Sequence, residues 1–128
     1  MGVREKTMLV NNSKFKKSVL TALADEDMVK ILNSTQSELK SVTDIIREHN
    51  IAHTTAYRKI KWMVENDLLV VEKIKITDDG KKSSLFKSTI RAAKVNYENQ
   101  EVKIEMIKNA NKMKQTAERF YSLDDDAS

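Results

Sequence analysis

The sequence predicts an α+β fold, mainly α, of short helices, two β-hairpins and a terminal coiled-coil-like helix. Three observations carry this expectation. Apolar residues recur at helical spacing from Phe15 to Leu68, the period changes to two after Leu69, and helical spacing returns from Met106 to Phe120. With no proline, and glycine only at Gly2 and Gly80 among 128 residues, little interrupts either pattern.

Residues 1–12 have no strong period and read as a loose N-terminal arm, although Met8, Leu9 and Val10 could pack on something. From Lys14, the spacing of Phe15, Val19, Leu20 and Leu23 predicts a short amphipathic helix. Asp25-Glu26-Asp27 reads as a cap and an acidic first turn, because carboxylates favour the N–H end of a helix. Met28, Ile31 and Leu32 continue that helix until the polar run Asn33-Ser34-Thr35-Gln36 ends it. Ser41-Val42-Thr43-Asp44 matches a capping box with Asp in place of Glu. The helix it opens buries Val42, Ile45 and Ile46 and stops near His49-Asn50, where Asn tolerates the left-handed conformation. A fourth helix starts near His53-Thr54-Thr55, whose hydroxyls can cap it, and runs through Ala56, Ile60, Met63 and Val64 to Leu68.

Beyond Leu69, Val71, Lys73, Lys75 and Thr77 alternate with Glu72, Ile74 and Ile76, as in a half-buried strand. Thr77-Asp78-Asp79-Gly80 forms the turn, with Gly80 at positive φ, and residues 84–88 return. A second hairpin has Val95 and Tyr97 on one arm, Glu98-Asn99-Gln100-Glu101 as its turn, and Val102, Ile104 and Met106 on the other. Met106, Ala110, Met113, Ala117 and Phe120 are spaced as a heptad seam that needs something to bury it. Either a partner helix covers the seam or the chain's own first helix does, through Phe15, Val19 and Leu23. Asp124-Asp125-Asp126 ends the sequence as a solvated acidic tail. The expected organisation is an arm at 1–12, a domain at 13–90, a hairpin and dimerisation helix at 91–122, and a tail at 123–128.

Composition narrows the function. A hydrophobic share of 40% beside a charged share of 33% describes a globular chain, not a disordered one. Zero cysteine excludes disulfides, thiolate metal sites and cysteine nucleophiles. No apolar run is long enough for a membrane span or a signal-peptide core, so the expected location is the cytoplasm, without membrane contact. No paired carboxylates in an apolar frame, nucleophile elbow or phosphate cradle is present, so an enzyme is not expected, nor is a cofactor. His49 and His53 straddle a turn, where four-residue spacing does not bring two imidazoles onto one metal. Ordinary surface histidines are the expectation over a weak site with Asp44 and Glu48. Trp62 reads as a packed ring, and the six methionines read as adaptable core.

The charge is unevenly placed. Residues 54–91 hold nine basic and five acidic residues; the remainder cancels, so the whole excess of +4 lies in this third. Two helices joined by a short turn and followed by a basic hairpin make a winged helix-turn-helix. Its second helix, about 53–68, fits the major groove of double-stranded DNA, and its hairpin, about 70–88, reaches phosphates or the minor groove. On this reading Thr54, Thr55, Tyr57 and Arg58 meet bases or backbone, Arg58 forking onto guanine. Lys59, Lys61, Lys73, Lys75, Lys81 and Lys82 supply phosphate contacts.

The strings Ser41-Val42-Thr43-Asp44-Ile45-Ile46, Ile51-Ala52-His53-Thr54-Thr55-Ala56-Tyr57-Arg58-Lys59-Ile60 and Leu68-Leu69-Val70 resemble archaeal ArsR-like winged-helix transcription regulators. The resemblance covers about residues 19–90. It departs at Asn66-Asp67, where a glycine is usual, and in the absence of the metal-sensing cysteines. It implies sequence-specific DNA binding in transcription regulation, usually as a homodimer, with no effector identified. The competing expectation is a winged-helix module that binds other proteins in an assembly. An RNA binder would need more exposed aromatics than three Tyr, three Phe and one Trp at mostly core spacing provide.

Overall fold

Side-chain caps divide the first half of the protein into three short helices. In the computed structural model, which describes residues 6–109, Asn12 Oδ1 accepts from the Phe15 N–H at 2.9 Å and opens α1 (Ser13–Leu23). Asp25 Oδ1 accepts from the Met28 N–H at 3.0 Å and opens α2 (Glu26–Ser34). Ser41 and Asp44 exchange backbone and side-chain hydrogen bonds at 3.0 and 3.1 Å, the reciprocal capping box of α3 (Val42–His49). Asn50 then adopts the left-handed conformation, φ 52°, and Ile51 drops into the core.

The fourth helix, α4 (His53–Glu65), differs from expectation at both ends. Its N-cap is Ala52, with no side-chain hydrogen bond, so neither Thr54 nor Thr55 caps it. Its end comes at Glu65, before Leu68. There the Leu68 N–H donates to Met63 O at 2.8 Å and the Asp67 N–H to Val64 O at 3.2 Å, which is a Schellman stop. Asp67 takes the left-handed position at φ 62°, which glycine usually fills.

Among the described residues five strands follow or flank these helices: β1 (Thr7–Leu9), β2 (Leu69–Ile76), β3 (Lys82–Ser88), β4 (Ile90–Glu98) and β5 (Glu101–Lys108). They form two antiparallel sheets, β2-β3 and β1-β5-β4. Among the described residues, helices of 11, 9, 8 and 13 residues stand against strands of 3, 8, 7, 9 and 8, so the α+β class holds, with helix and strand more evenly balanced there than "mainly α". Part of the expected loose arm is ordered: Thr7, Met8 and Leu9 pair with Ile107, Met106 and Glu105, and the Val10 N–H donates to Ile104 O at 2.8 Å. This also corrects the dimerisation seam at its first member. Met106 lies in β5 with 6% exposure, inside the protein's own core, because alternation with Ile104 outweighs its helical spacing to Ala110. Ala110, Met113, Ala117 and Phe120, and the acidic tail, lie outside the described residues.

One core joins all of this. Val19, Ala22, Ile31, Ile45, Ala56, Met63 and Leu68 are fully buried, Phe86 enters from β3, and Ile104 and Met106 enter from β5. The chain crosses between the two sheets at Ser88-Thr89 without a loop. Ser88 Oγ donates to Ile90 O at 2.7 Å, Thr89 Oγ1 donates to Asp67 O at 2.7 Å, and Asn109 Nδ2 donates to Ser88 O at 3.0 Å. Among the described residues no helix is long and apolar enough to cross a membrane.

The strained exit of α4 is testable. Replacing Asp67 with Gly removes the Cβ clash of a left-handed L-residue, partly offset by glycine's greater freedom when unfolded, so stability should rise by about 0.5–1 kcal/mol. Urea denaturation that shows no gain would contradict strain at this residue.

Candidate nucleic-acid interface

Residues three and four apart on a helix share a face. Thr54, Tyr57, Arg58 and Lys61 therefore form one stripe of α4, and all four are exposed, Tyr57 by 53%. Ala56, Ile60 and Met63 face the opposite way, into the core. Thr55 lies half-buried between the two faces. The Tyr57 ring stacks on His53 one turn earlier, with centroids 6.2 Å apart at an interplanar angle of 19°, which steadies the phenol at the open end of the stripe.

Lys59 does not belong to this stripe. Its Nζ donates to Asp25 Oδ2 and Asp27 Oδ2, both at 2.9 Å, with only 14% of its side chain exposed. This removes it from the phosphate contacts expected of it: the acidic first turn of α2 holds it, locking α2 to α4. Burial pushes the Asp25 carboxyl up, but hydrogen bonds from Lys59 and the Met28 N–H outweigh it and hold the group below its ordinary 3.8. Donating to the Asp25 and Asp27 carboxylates raises the Lys59 ammonium above its ordinary 10.5.

The β2-β3 hairpin stands beside the α4 stripe, but a bulge rearranges its faces. The register shifts between Val71 and Lys73, leaving Glu72 as the extra residue. Val71 pairs with Phe86, Ile74 with Ser84 and Ile76 with Lys82, so these six share the face towards α4. Lys73 and Lys75 pair with Leu85 and Ser83 and lie on the opposite face. Unbroken alternation had placed Val71 with Lys73 and Lys75; the bulge parts them. The outer half of β2 is exposed on both faces, not half-buried, with Ile74 at 56% and Ile76 at 68%. Lys81 sits at the tip, where Gly80 turns at φ 82° and the Thr77 N–H donates to Lys81 O at 2.8 Å.

Between α4 and this hairpin lies a cleft of about 460 Å³. Tyr57, Ile60, Val64, Val71 and Phe86 give it an apolar floor, Lys61 and Lys82 line it from opposite sides, and Glu65 adds a carboxylate. Among the described residues, Arg58, Lys61, Lys73, Lys75 and Lys82 have no ion-pair partner, whereas Lys40 pairs with Glu48 and Glu38 and Arg47 with Asp44. No family model, curated protein or solved structure matches the chain. The site is therefore read from its own chemistry.

That chemistry is a cationic, hydroxyl-bearing ridge beside a cationic hairpin. Tyr57, Lys61 and Lys82 come together around the cleft, and Thr54 and Arg58 belong to the exposed α4 stripe outside its lining. Lys73 and Lys75 stand on the far side of the hairpin, and Lys81 at its end. Sequence reasoning missed Ile74 and Ile76 as exposed members of the cleft-side face; only knowledge of the bulge at Glu72 turns them that way. Among the described residues no cluster of three or more His, Asp or Glu could hold a metal.

The Asp25–Lys59–Asp27 triad makes a pH-dependent contribution with a defined sign. Asp25, lowered on folding, adds stability above its ordinary 3.8 that is lost as pH falls through the lowered value. Lys59, raised on folding, adds stability below its ordinary 10.5 that is lost as pH rises through the raised value. Lys59→Ala should cost about 1 kcal/mol near neutrality, after discounting for solvent screening, and should flatten both limbs of the stability–pH curve. Denaturation midpoints measured from acid to alkaline pH provide the check.

Proposed function

We propose that residues 13–90 form a winged helix-turn-helix and that the protein is a sequence-specific, double-stranded DNA-binding transcription regulator acting as a homodimer. In this reading α3 and α4 are the two helices of the motif, α4 enters the major groove and the β2-β3 hairpin is the wing. The observation that carries the reading is the α4 stripe: Thr54, Tyr57, Arg58 and Lys61 face solvent, uncovered by the hairpin beside them. A helix buried on one side and cationic on the other matches the width and charge of a major groove.

The roles divide by chemistry. Arg58 can donate two hydrogen bonds to one guanine edge, while Thr54 and Tyr57 can bond bases or phosphates. Lys61 and Lys82 face the duplex backbone from the two sides of the cleft. Ile74 and Ile76 suit the apolar walls of a minor groove, where aliphatic side chains pack on sugars or wedge between steps. The resemblance to ArsR-like regulators supports the same function, and the lack of cysteine argues against sensing through thiolates. The second reading, a protein-binding module, draws on those isoleucines, since exposed apolar residues mark protein contacts as well.

Selection from a random duplex library followed by titration at several salt concentrations tests the proposal. Arg58→Ala should weaken the selected site by about 1–3 kcal/mol and relax preference at one base pair. Removing Lys81 and Lys82 together should weaken all duplexes alike and lower the salt slope by about two. No duplex retention at moderate salt would favour the protein-binding reading.

A further inference from the structure

Strand β4 is the outer edge of its sheet, with β5 on one side and no described strand on the other. Its hairpin with β5 turns through Asn99 and Gln100, at φ 52° and 65°, the pair of positive values that marks a two-residue type I′ turn. Such a turn makes Glu98–Glu101 the closing hydrogen-bonded pair. Alternation from there directs the N–H and C=O groups of Ala93, Val95 and Tyr97 away from β5. A row of outward backbone groups is a template for another strand. Neither proline nor a register shift interrupts 92–98, and its charged residues, Lys94 and Glu98, are of opposite sign.

The side chains add direction. Lys94 to Glu98 are all exposed, Tyr97 by 72% and Val95 by 43%. Val95 and Tyr97 lie opposite Ile104 and Val102, so they continue the face that buries Ile104 and Met106 but leave it uncovered at the edge. Lys94 and Glu98 lie on the other face, four residues apart and opposite in charge.

We propose that a second copy of this chain pairs antiparallel along β4, about a two-fold axis through Asn96. That register sets Val95 against the partner's Tyr97 and Lys94 against the partner's Glu98, each twice by symmetry. Neighbouring registers do less. Centring on Lys94 opposes two lysines, and centring on Val95 or Tyr97 leaves Lys94 and Glu98 without each other. Cross-strand β-branched–aromatic and opposite-charge pairs are the units that stabilise a sheet and select its register. The contact is isologous and closes as a dimer. It deepens the homodimer part of the functional reading and is independent of which nucleic acid, if any, α4 binds.

The test uses the full chain without DNA, so failure here leaves DNA recognition by α4 standing, and the converse holds. The sequence has no cysteine, so Asn96→Cys supplies a single thiol. In the proposed register Asn96 meets its own copy in a non-hydrogen-bonded pair, with Cα atoms about 4.5 Å apart, within disulfide reach. Sedimentation velocity at about 100 µM, suited to an interface of below-standard size, should find a dimer. Mild oxidation of Asn96→Cys should trap it. Lys94→Glu should weaken it about tenfold, and adding Glu98→Lys should restore it by reversing each pair. Circular dichroism confirms that each variant folds. A monomer throughout, or a dimer that neither cross-links at position 96 nor responds to the charge swap, overturns the proposal; the second outcome would place the contact elsewhere, as in the Ala110–Phe120 segment.

Discussion

The crossing at Ser88-Thr89 is the constraint on which the arrangement depends. Two hairpins leave the core in different sheets, and the chain passes from one to the other with no loop to absorb a mismatch. Every polar group there is out of water, so each needs a partner inside the protein. The Ser88 N–H donates to Thr35 O at 3.0 Å, behind α2, and the Thr89 N–H to Leu68 O at 3.0 Å, just past α4. The hydroxyls and Asn109 satisfy what remains. Both sheets are thus fixed to the helices through one buried dipeptide, and the angle of the β2-β3 hairpin to α4 follows from it. Lys40 adds to this by exchanging backbone hydrogen bonds with Phe86 at 3.2 and 2.8 Å, holding the entrance of α3 against β3.

The same economy shapes the cationic ridge. Acidic residues stand at helix starts, Asp25 as the cap of α2 and Asp44 in the capping box of α3, and each holds a basic side chain, Lys59 and Arg47. The cap of α4 is Ala52, which brings no carboxylate to that end of the stripe. Arg58 and Lys61 therefore keep their charge available to a ligand, while Lys59, between them in sequence, is spent on holding two helices together. Neighbours in the chain serve opposite ends because a helix turns each residue 100° from the last.

Local signals made much of this legible. The boundaries of α2 and α3 follow from Asp25 and Ser41 at the start and a polar run and Asn50 at the end, since a cap is chemistry among residues three apart; the Asn12 cap of α1 falls in what reads as a loose arm. The turns at Gly80 and Asn99-Gln100 are likewise short-range. Non-local pairings were not legible. The strand Thr7–Leu9 exists only because β5, about a hundred residues later, presents an edge to it. Met106 fits a heptad and a strand equally well by spacing, and burial beside Ile104 decides for the strand. The extra residue at Glu72 has no marker such as glycine, so the faces of β2 inverted without warning. The exposed stripe of α4 could be read from spacing alone, but the capture of Lys59 could not, because Asp25 and Asp27 sit on another helix.

The bare outer half of β2-β3 carries an energetic corollary. With β2 exposed on both faces there and Ser83, Ser84 and Leu85 of β3 only half-buried, little burial opposes its opening, so this end of the ribbon should open at a free energy below that of global unfolding. A ligand that grips it must first quench that motion. On the proposed reading, part of the attraction between lysine and polyanion is then converted into order, and affinity is exchanged for the freedom to adjust to surfaces of varied width.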